Sequence, residues 1–157
     1  MVKVLFVCLG NICRSPMAEA VFQNMVNEAG LSDQIFVDSA GTGAWYVGDS
    51  AHRGTLSVLK RHAIPYNGRA RQVAHRDLSE FDYILAMDKS NLANLRRYAD
   101  TSAAEIQLFL SYAHAAGSVA EDEVPDPYYD GRFDYVYDLV SRGSAALLQR
   151  IRQQNGL

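Results

Sequence analysis

The chain opens with VKVLFVCLGNICRSP over residues 2–16, an apolar run followed by a short polar loop. The run has the length and the β-branched content of a strand that is covered on both faces, as in a parallel sheet. The glycine and the asparagine of the loop tolerate a positive φ, so the chain can turn sharply there. Ser15 and Pro16 are typical of a helix N-cap and a first helical position, and Glu19 is placed to bond back to the first-turn amides. The stretch therefore predicts a strand, a tight loop and a helix.

This geometry gathers backbone N–H groups at the positive end of a helix dipole, where they can bind an oxyanion such as phosphate. Cys8 ends the predicted strand and Arg14 lies in the first helical turn, so the loop can bring a thiolate and a guanidinium to the same anion. The thiolate could then attack phosphorus while Arg14 binds two equatorial oxygens. A small buried hydrophobe at a strand end is the alternative for Cys8. The cysteine, arginine and serine at one strand-to-helix turn favour the nucleophile.

Three later stretches accompany VCLGNICRSP of residues 7–16: they are DSAGTGAW at 38–45, FDYILAMDKSNL at 81–92 and VPDPYYDG at 124–131. In order and spacing the four resemble the low-molecular-weight protein tyrosine phosphatases, over nearly the whole chain. The first and the last are the specific signatures, whereas the other two mainly support the fold.

Cleavage of a phosphate ester needs a proton for the leaving oxygen and later a base that activates water, and one carboxylic acid can serve both steps. Asp126 is the candidate because Pro125 and Pro127 restrict the backbone on either side. An aspartate in a surface loop is often only a solvated turn residue, but the resemblance places the acid of the family at this position. Asp130 is the local alternative, although Gly131 after it is typical of an ordinary turn.

Aromatic residues in two loops are expected to wall a slot for a flat aromatic leaving group. Trp45, with Tyr46 beside it, follows the second strand, and Tyr128 and Tyr129 follow the candidate acid. Packing of these rings on the body of the protein is the alternative. The resemblance assigns Trp45 and Tyr128 to the slot, with Tyr129 as a further contact. The predicted substrate-binding set is Leu9, Gly10, Asn11, Ile12, Cys13, Ser15, Trp45, Tyr128 and Tyr129.

The resemblance also implies supporting roles. Asn11 and Ser15 match the residues that hold the shape of the loop and assist the thiolate leaving group, and Ser39 matches a position that hydrogen-bonds the asparagine. The family often has a histidine where this chain has Gly68, so part of the network around Asn11 is missing or is supplied by another residue. The matching pair of Cys8 and Cys13 forms a reversible disulfide under peroxide in the family, which implies a redox-sensitive site.

Length and composition indicate one soluble domain over residues 1–157. Hydrophobic residues make up 48% and charged residues 21%, and no apolar run reaches the ~20 residues of a membrane span. The N-terminus lacks the pattern of a secretory signal, and two cysteines form no disulfide framework, so we predict a cytoplasmic protein. A net charge of −3 without a basic stripe argues against nucleic acid as a partner, and too few ligands are present for a metal site.

Apolar spacing predicts helices at about 16–29, 50–62, 90–99 and 133–153, and strands at 35–37, 81–87 and 106–109 after the first one. Beyond residue 117 a loop is expected until residue 130. Strands that alternate with helices imply a three-layer α/β/α fold with a parallel sheet of about four strands, and the phosphate-binding loop follows strand 1. Asp88 is expected to cap a helix. The histidines, which show no ligand spacing, are expected at the surface: His52, His62, His75 and His114.

The leading hypothesis is hydrolysis of protein phosphotyrosine, and of small aryl phosphates, through a phosphocysteine intermediate. The residues predicted to carry the chemistry are Cys8, Arg14 and Asp126, with no metal and no cofactor. The expected partners are phosphotyrosine proteins, tyrosine kinases among them, and the expected state is a monomer or a weak homodimer.

Three alternatives stay open from the sequence. An arsenate reductase uses the same loop, but it needs further cysteines, and none follows Cys13. A protein-arginine phosphatase of the same fold typically has a threonine, able to orient water, where this chain has Ile12. A flavodoxin-like module that holds a cofactor phosphate would leave the cysteine, the arginine and the acid unexplained.

Overall fold

Four parallel strands form a single sheet in the computed structural model, which describes residues 1–99 and 101–157. The strands are β1 (Val2–Cys8), β2 (Ile35–Gly41), β3 (Tyr83–Ala86) and β4 (Glu105–Leu108). Their order across the sheet is β2-β1-β3-β4, and each neighbouring pair is parallel. The predicted α/β fold with a four-stranded parallel sheet is confirmed.

Seven helices accompany the sheet within the described residues. They are α1 (Arg14–Glu28), α2 (Arg53–Arg61), α3 (Asp77–Glu80), α4 (Lys89–Arg96), α5 (Ser111–Ala115), α6 (Pro127–Asp130) and α7 (Phe133–Asn155). The prediction of a loop up to residue 130 was wrong at Pro127–Asp130, which form α6. Pro127 occupies the first turn of this helix, and the side chain of Asp126 caps it by accepting a hydrogen bond from the Tyr128 N–H at 3.1 Å.

Both faces of the sheet are covered, which explains why β1 is apolar without interruption. Val4 and Phe6 face a large core that is built with α1, α2, α5 and α7. Leu5 and Val7 face a smaller core on the other side, which α3 and α4 complete. The ring of Phe6 packs edge-on against two rings of the larger core, at centroid distances of 5.3 and 5.5 Å.

The strand order brings β1 and β3 side by side in the middle of the sheet, while the chain leaves them in opposite directions. Ligands of such sheets bind at the carboxyl ends of the two strands where the order reverses. Cys8 ends β1, and Asp88 follows β3 by two residues. The fold therefore places both side chains at the edge where a ligand is expected.

Across residues 1–99 and 101–157, no helix has both the length and the apolar character that a membrane span requires.

Candidate active site

The loop between β1 and α1 is held by hydrogen bonds on its outer side. Four carbonyl oxygens accept them: Cys8 O from Thr42 N at 2.9 Å, Leu9 O from Gly43 N at 2.9 Å, Ile12 O from His52 N at 2.7 Å and Cys13 O from Thr55 Oγ1 at 3.0 Å. Asn11 has a φ of 57° and is the only loop residue with a positive φ. These contacts bend the loop into a cradle around the end of β1.

The amides of the cradle are available for an anion. The N–H groups of Gly10, Ile12 and Cys13 donate to no group in the described part of the chain, whereas Asn11 N lies 3.3 Å from Cys8 Sγ. Together with the first turn of α1, they form an array of donors at the positive end of a 15-residue helix. This arrangement suits a tetrahedral oxyanion such as phosphate.

Cys8 lies at the floor of the cradle, where it is 3% exposed. Its Sγ is 3.0 Å from Ser15 Oγ. Asn11 Nδ2 donates to Ser15 Oγ at 2.7 Å and to Ser39 Oγ at 3.0 Å, which joins the two predicted supporting serines in one network. The prediction that Ser15 caps α1 was wrong. The helix begins at Arg14 without a side-chain cap, because the serine hydroxyl is engaged by the cysteine and the asparagine.

Arg14 is buried beside Cys8 and is only 4% exposed. Its Nη1 donates to Asp88 Oδ2 at 2.7 Å and to Val124 O at 3.0 Å, and its Nη2 is 3.5 Å from Asp126 Oδ2. Burial opposes the charge of the guanidinium, but the negative charges of Cys8, Asp88 and Asp126 outweigh burial and raise the pKa of Arg14. The guanidinium therefore stays a cation, and its position is fixed before an anion binds.

Asp126 faces the same cavity from the opposite loop. Its side chain is about one quarter exposed, and it is tied both to Arg14 and to the N-terminus of α6. Asp130 has a different environment, because hydrogen bonds from the backbone and side chain of Arg132 lower the pKa of its exposed carboxyl. Asp126 lines the cavity with Cys8 and contacts Arg14, whereas Asp130 does not line the cavity, so the geometry favours Asp126 as the acid.

A cavity of about 270 Å³ opens between the cradle and two aromatic loops. Its lining consists of Cys8, Leu9, Gly10, Ile12, Cys13, Arg14, Trp45, Tyr46, Asp126, Tyr128 and Tyr129. The other predicted site residues, Asn11, Ser15 and Ser39, lie behind this surface and hold the cradle. Trp45 and Tyr129 are 75% and 80% exposed, so the rings form an open rim rather than a closed wall.

Tyr46 joins the rim, although the predicted substrate-binding set left it out. A Cβ at Gly10 would lie 2.9 Å from Tyr46 Cδ2, so the glycine is needed for the close approach of this ring rather than for a positive φ. The position of Tyr46 beside Trp45 was the available signal in the sequence.

Asp88 and His52 each cap a helix with their side chains. Asp88 caps α4 as predicted, through a hydrogen bond from Asn91 N to its Oδ1 at 2.8 Å, and it also holds Arg14. His52 is not a simple surface residue. It is half-buried, it caps α2 by accepting from Gly54 N at 2.9 Å, and its ring stacks on Phe133.

Glu19 and Tyr66 were missed as members of the site. Glu19 does not bond back to the first turn of α1 as predicted. Its Oε1 instead accepts from Ser39 Oγ at 2.6 Å and from Tyr66 Oη at 3.0 Å, because the side chain points from α1 toward β2. No local pattern links residues 19 and 66, which are 47 positions apart.

A cysteine before a helix N-terminus, a buried arginine and an opposing carboxyl meet at one cavity, and this arrangement suits the binding of a phosphate group. A family model described as low molecular weight phosphotyrosine protein phosphatase matches residues 3–156. The chain therefore belongs to this family, and the predicted enzyme class, a phosphoric monoester hydrolase, is confirmed.

Individual relatives are similar to this chain in sequence over most of its length. The chain is 45% identical over 159 residues to the low molecular weight protein-tyrosine-phosphatase YfkJ of Bacillus subtilis, and the match covers all of both chains. It is 51% identical over 132 residues to the low molecular weight phosphotyrosine protein phosphatase of Schizosaccharomyces pombe, with 83% of each chain covered.

Solved structures show the same fold. The crystal structure of YfkJ matches with a TM-score of 0.93 at 44% identity, over 99% of this chain and 97% of that chain. The crystal structure of DARP, a Drosophila arginine phosphatase, matches with a TM-score of 0.89 at 36% identity, over 96% of this chain and 98% of that chain.

Proposed function

We propose that this enzyme hydrolyses phosphotyrosine in proteins, and small aryl phosphates, through a phosphocysteine intermediate. The observation that carries the proposal is the convergence of Cys8, Arg14 and Asp126 on one cavity whose floor is an array of free amides. Each part of the reaction then has a residue at hand.

In the first step the Cys8 thiolate attacks phosphorus, the S–P bond forms and the P–O bond to the aryl group breaks. The protonated carboxyl of Asp126 gives its proton to the leaving oxygen, so a phenol departs rather than a phenolate. Arg14 and the loop amides bind the equatorial oxygens, whose charge they stabilise most strongly in the transition state.

In the second step the Asp126 carboxylate takes a proton from a water molecule, whose oxygen attacks phosphorus. The S–P bond breaks, inorganic phosphate forms and Cys8 leaves as a thiolate. Ser15 Oγ, 3.0 Å from Cys8 Sγ, can donate a hydrogen bond to the sulfur as it regains its charge. The same acid and the same donors thus serve both halves of the reaction.

Phosphotyrosine fits the rim better than phosphoserine because Trp45, Tyr128 and Tyr129 can stack on an aryl leaving group. A phosphoarginine substrate is the second candidate, since one structural relative is an arginine phosphatase. Ile12 lines the cavity, and its side chain has no hydroxyl that could orient water against a guanidinium product. This residue favours phosphotyrosine over phosphoarginine.

The experiment is an activity comparison on p-nitrophenyl phosphate and on peptides with phosphotyrosine, phosphoserine and phosphoarginine, each with and without a chelator. We expect turnover of the first two substrates, little on the others and no effect of the chelator. Faster turnover of phosphoarginine than of phosphotyrosine would reject the proposed specificity. A phosphotyrosine protein partner, a cytoplasmic location and a monomeric or weakly dimeric state stay predictions.

A further inference from the structure

Tyr66 occupies the space beside Gly68 that a side chain at position 68 would need. A Cβ added at Gly68 would overlap Tyr66 Oη and lie 2.6 Å from Cζ of the ring. The backbone at Gly68 has no positive φ, so it is the tyrosine that excludes a side chain. The two residues depend on each other, because the absence of a side chain at position 68 leaves room for the hydroxyl of Tyr66 to reach Glu19.

The Tyr66 hydroxyl ends on a carboxylate at the back of the cradle. Tyr66 Oη and Ser39 Oγ both donate to Glu19 Oε1, at 3.0 and 2.6 Å. An ionised carboxylate only accepts hydrogen bonds. The hydroxyl proton of Ser39 is therefore used on Glu19, and the oxygen of Ser39 is left to accept.

Asn11 connects Ser39 to Ser15, which lies beside Cys8 at the floor of the site. Its two Nδ2 protons go to Ser39 Oγ at 3.0 Å and to Ser15 Oγ at 2.7 Å, and its Oδ1 accepts from Arg71 N at 3.0 Å. Both donors and the oxygen of the amide are then engaged, which sets its orientation. Because Ser15 Oγ accepts from the asparagine, its own proton is free to point at Cys8 Sγ, 3.0 Å away.

We propose that Glu19 and Tyr66 are positioning residues that fix the proton direction of this network, so that Ser15 donates its hydrogen bond to the Cys8 thiolate. The inference rests on the proposed role of Cys8 as nucleophile. Neither residue touches the cavity, and both act through Ser39 and Asn11.

The environment of Glu19 explains why the tyrosine is needed. Burial, with the nearby negative charge of Asp38, raises the pKa of Glu19, while the hydroxyls of Ser39 and Tyr66 and the positive charge of Arg71 act in the opposite direction. Loss of the Tyr66 hydroxyl removes one of these three stabilising groups and raises the pKa further. A protonated Glu19 could donate to Ser39 and reverse the direction of the network.

The test compares Tyr66→Phe with Tyr83→Phe. The control also loses a tyrosine hydroxyl that is hydrogen-bonded in the fold, but its partners are Gln154 and Asn155 at the far end of α7. Three quantities are measured for each: kcat/KM on p-nitrophenyl phosphate against pH, the rate of carboxymethylation of Cys8 by iodoacetate, and the melting temperature.

We expect Tyr66→Phe to lower kcat/KM and the carboxymethylation rate by about three- to tenfold, the effect of one hydrogen bond. Activity needs ionised Glu19, so a raised pKa moves the acidic limb of the kcat/KM profile to higher pH. Tyr83→Phe should leave the rates and the limb unchanged. A purely structural role would be shown by a lower melting temperature of Tyr66→Phe with a wild-type limb and carboxymethylation rate, and that result would overturn the proposal.

A second variant tests the pairing with residue 68. Gly68→Ala should displace the tip of the Tyr66 ring and reproduce the defect, and combining it with Tyr66→Phe should add little. If the losses of kcat/KM in the two single variants multiply in the double variant, the two residues do not act through the same hydrogen-bond network. Carboxymethylation of Cys8 needs no catalytic turnover, so this readout separates a failure of the network from a failure of the proposed phosphatase mechanism.

Discussion

Asp126 caps α6 with its side chain, and its Oδ2 lies 3.5 Å from Arg14 Nη2. Asp126→Ala should lower kcat on phosphotyrosine by about 10²- to 10⁴-fold, the range of general acid catalysis. The loss of the phosphorylation rate should be smaller for aryl phosphates with good leaving groups, because these need less protonation. Asp130→Ala is the matched control, and steady-state kinetics that show an equal loss there would move the acid away from Asp126.

Cys13 lines the same cavity as Cys8. Burial, helped by the negative charges of Asp126 and Cys8, raises the pKa of Cys13 to about 12. Cys13 is therefore a neutral thiol near pH 7. The proposed mechanism requires Cys8 to react as a thiolate, so we expect peroxide to oxidise Cys8 first.

The redox prediction concerns recovery after peroxide treatment. Dithiothreitol should restore activity in the wild type, because Cys13 captures the sulfenic acid on Cys8 as a disulfide with loss of water. The recovery should largely fail in Cys13→Ser, and phosphate should slow the inactivation in both proteins. Mass spectrometry that finds sulfinic acid on Cys8 with Cys13 still free in the wild type would refute the capture.

Single residues also show where sequence reasoning ends. Cys8 and Arg14 could be chosen because motif, loop and chemistry agree within a few positions, whereas the choice of Asp126 depended on the resemblance to the family. Ser15 was expected to cap α1, but its hydroxyl contacts Cys8 and Asn11 of the same loop. Glu19 was expected to bond to the first turn of α1, but it binds Ser39 and Tyr66, which tertiary packing brings to it. A side chain that could cap the helix forms a buried hydrogen-bond network instead, because the network satisfies several polar groups together.

At the scale of elements, the cradle depends on the end of β2. Gly41 pairs with Cys8 across the sheet, and a Cβ there would lie 2.7 Å from Leu9 O and 3.2 Å from Asn11 N. Gly41→Ala should displace the loop and lower kcat by about tenfold or more, because catalysis is sensitive to small misplacements. The check is kcat together with the affinity for vanadate, and full activity at wild-type affinity would show that the loop tolerates the methyl group.

The elements that could be predicted are those long enough to show a period. The four strands and the helices α1, α2, α4 and α7 follow from apolar spacing, and most of their ends lie within a few residues of the predicted ones. The helices α3, α5 and α6 have four or five residues, which is too short to carry a helical period. Of these, α6 bears directly on the site, since Asp126 caps it.

For the whole molecule, the buried thiol of Cys13 links folding to alkaline pH. Its pKa is raised from the ordinary 9.0 to about 12, so the folded state keeps a proton that the unfolded state loses. This contribution to stability is complete below pH 9.0 and is lost as the pH rises toward about 12, by up to ~1.4 kcal/mol per pH unit.

Urea unfolding at several alkaline pH values tests this link. Cys13→Ala should be less stable than the wild type near neutral pH, yet its free energy of unfolding should fall less steeply above pH 9.0. Burial also raises the pKa of Tyr66 and Tyr112, so some alkaline loss should persist in the variant. Parallel slopes for the two proteins would show that the Cys13 thiol does not contribute.

The central claim for the molecule is that Cys8 carries the phosphoryl group between the two steps. The most direct measurement is rapid-quench mass spectrometry of Asp126→Ala mixed with p-nitrophenyl phosphate, because loss of the base slows hydrolysis of the intermediate more than its formation from a good leaving group. We predict one phosphoryl group on a peptide that contains Cys8, and none when Cys8→Ser is added to the variant. Rapid release of p-nitrophenol without any phosphorylated enzyme would contradict the account. Turnover by Cys8→Ser within about tenfold of the wild type would also contradict it, because removal of a nucleophile causes a larger loss.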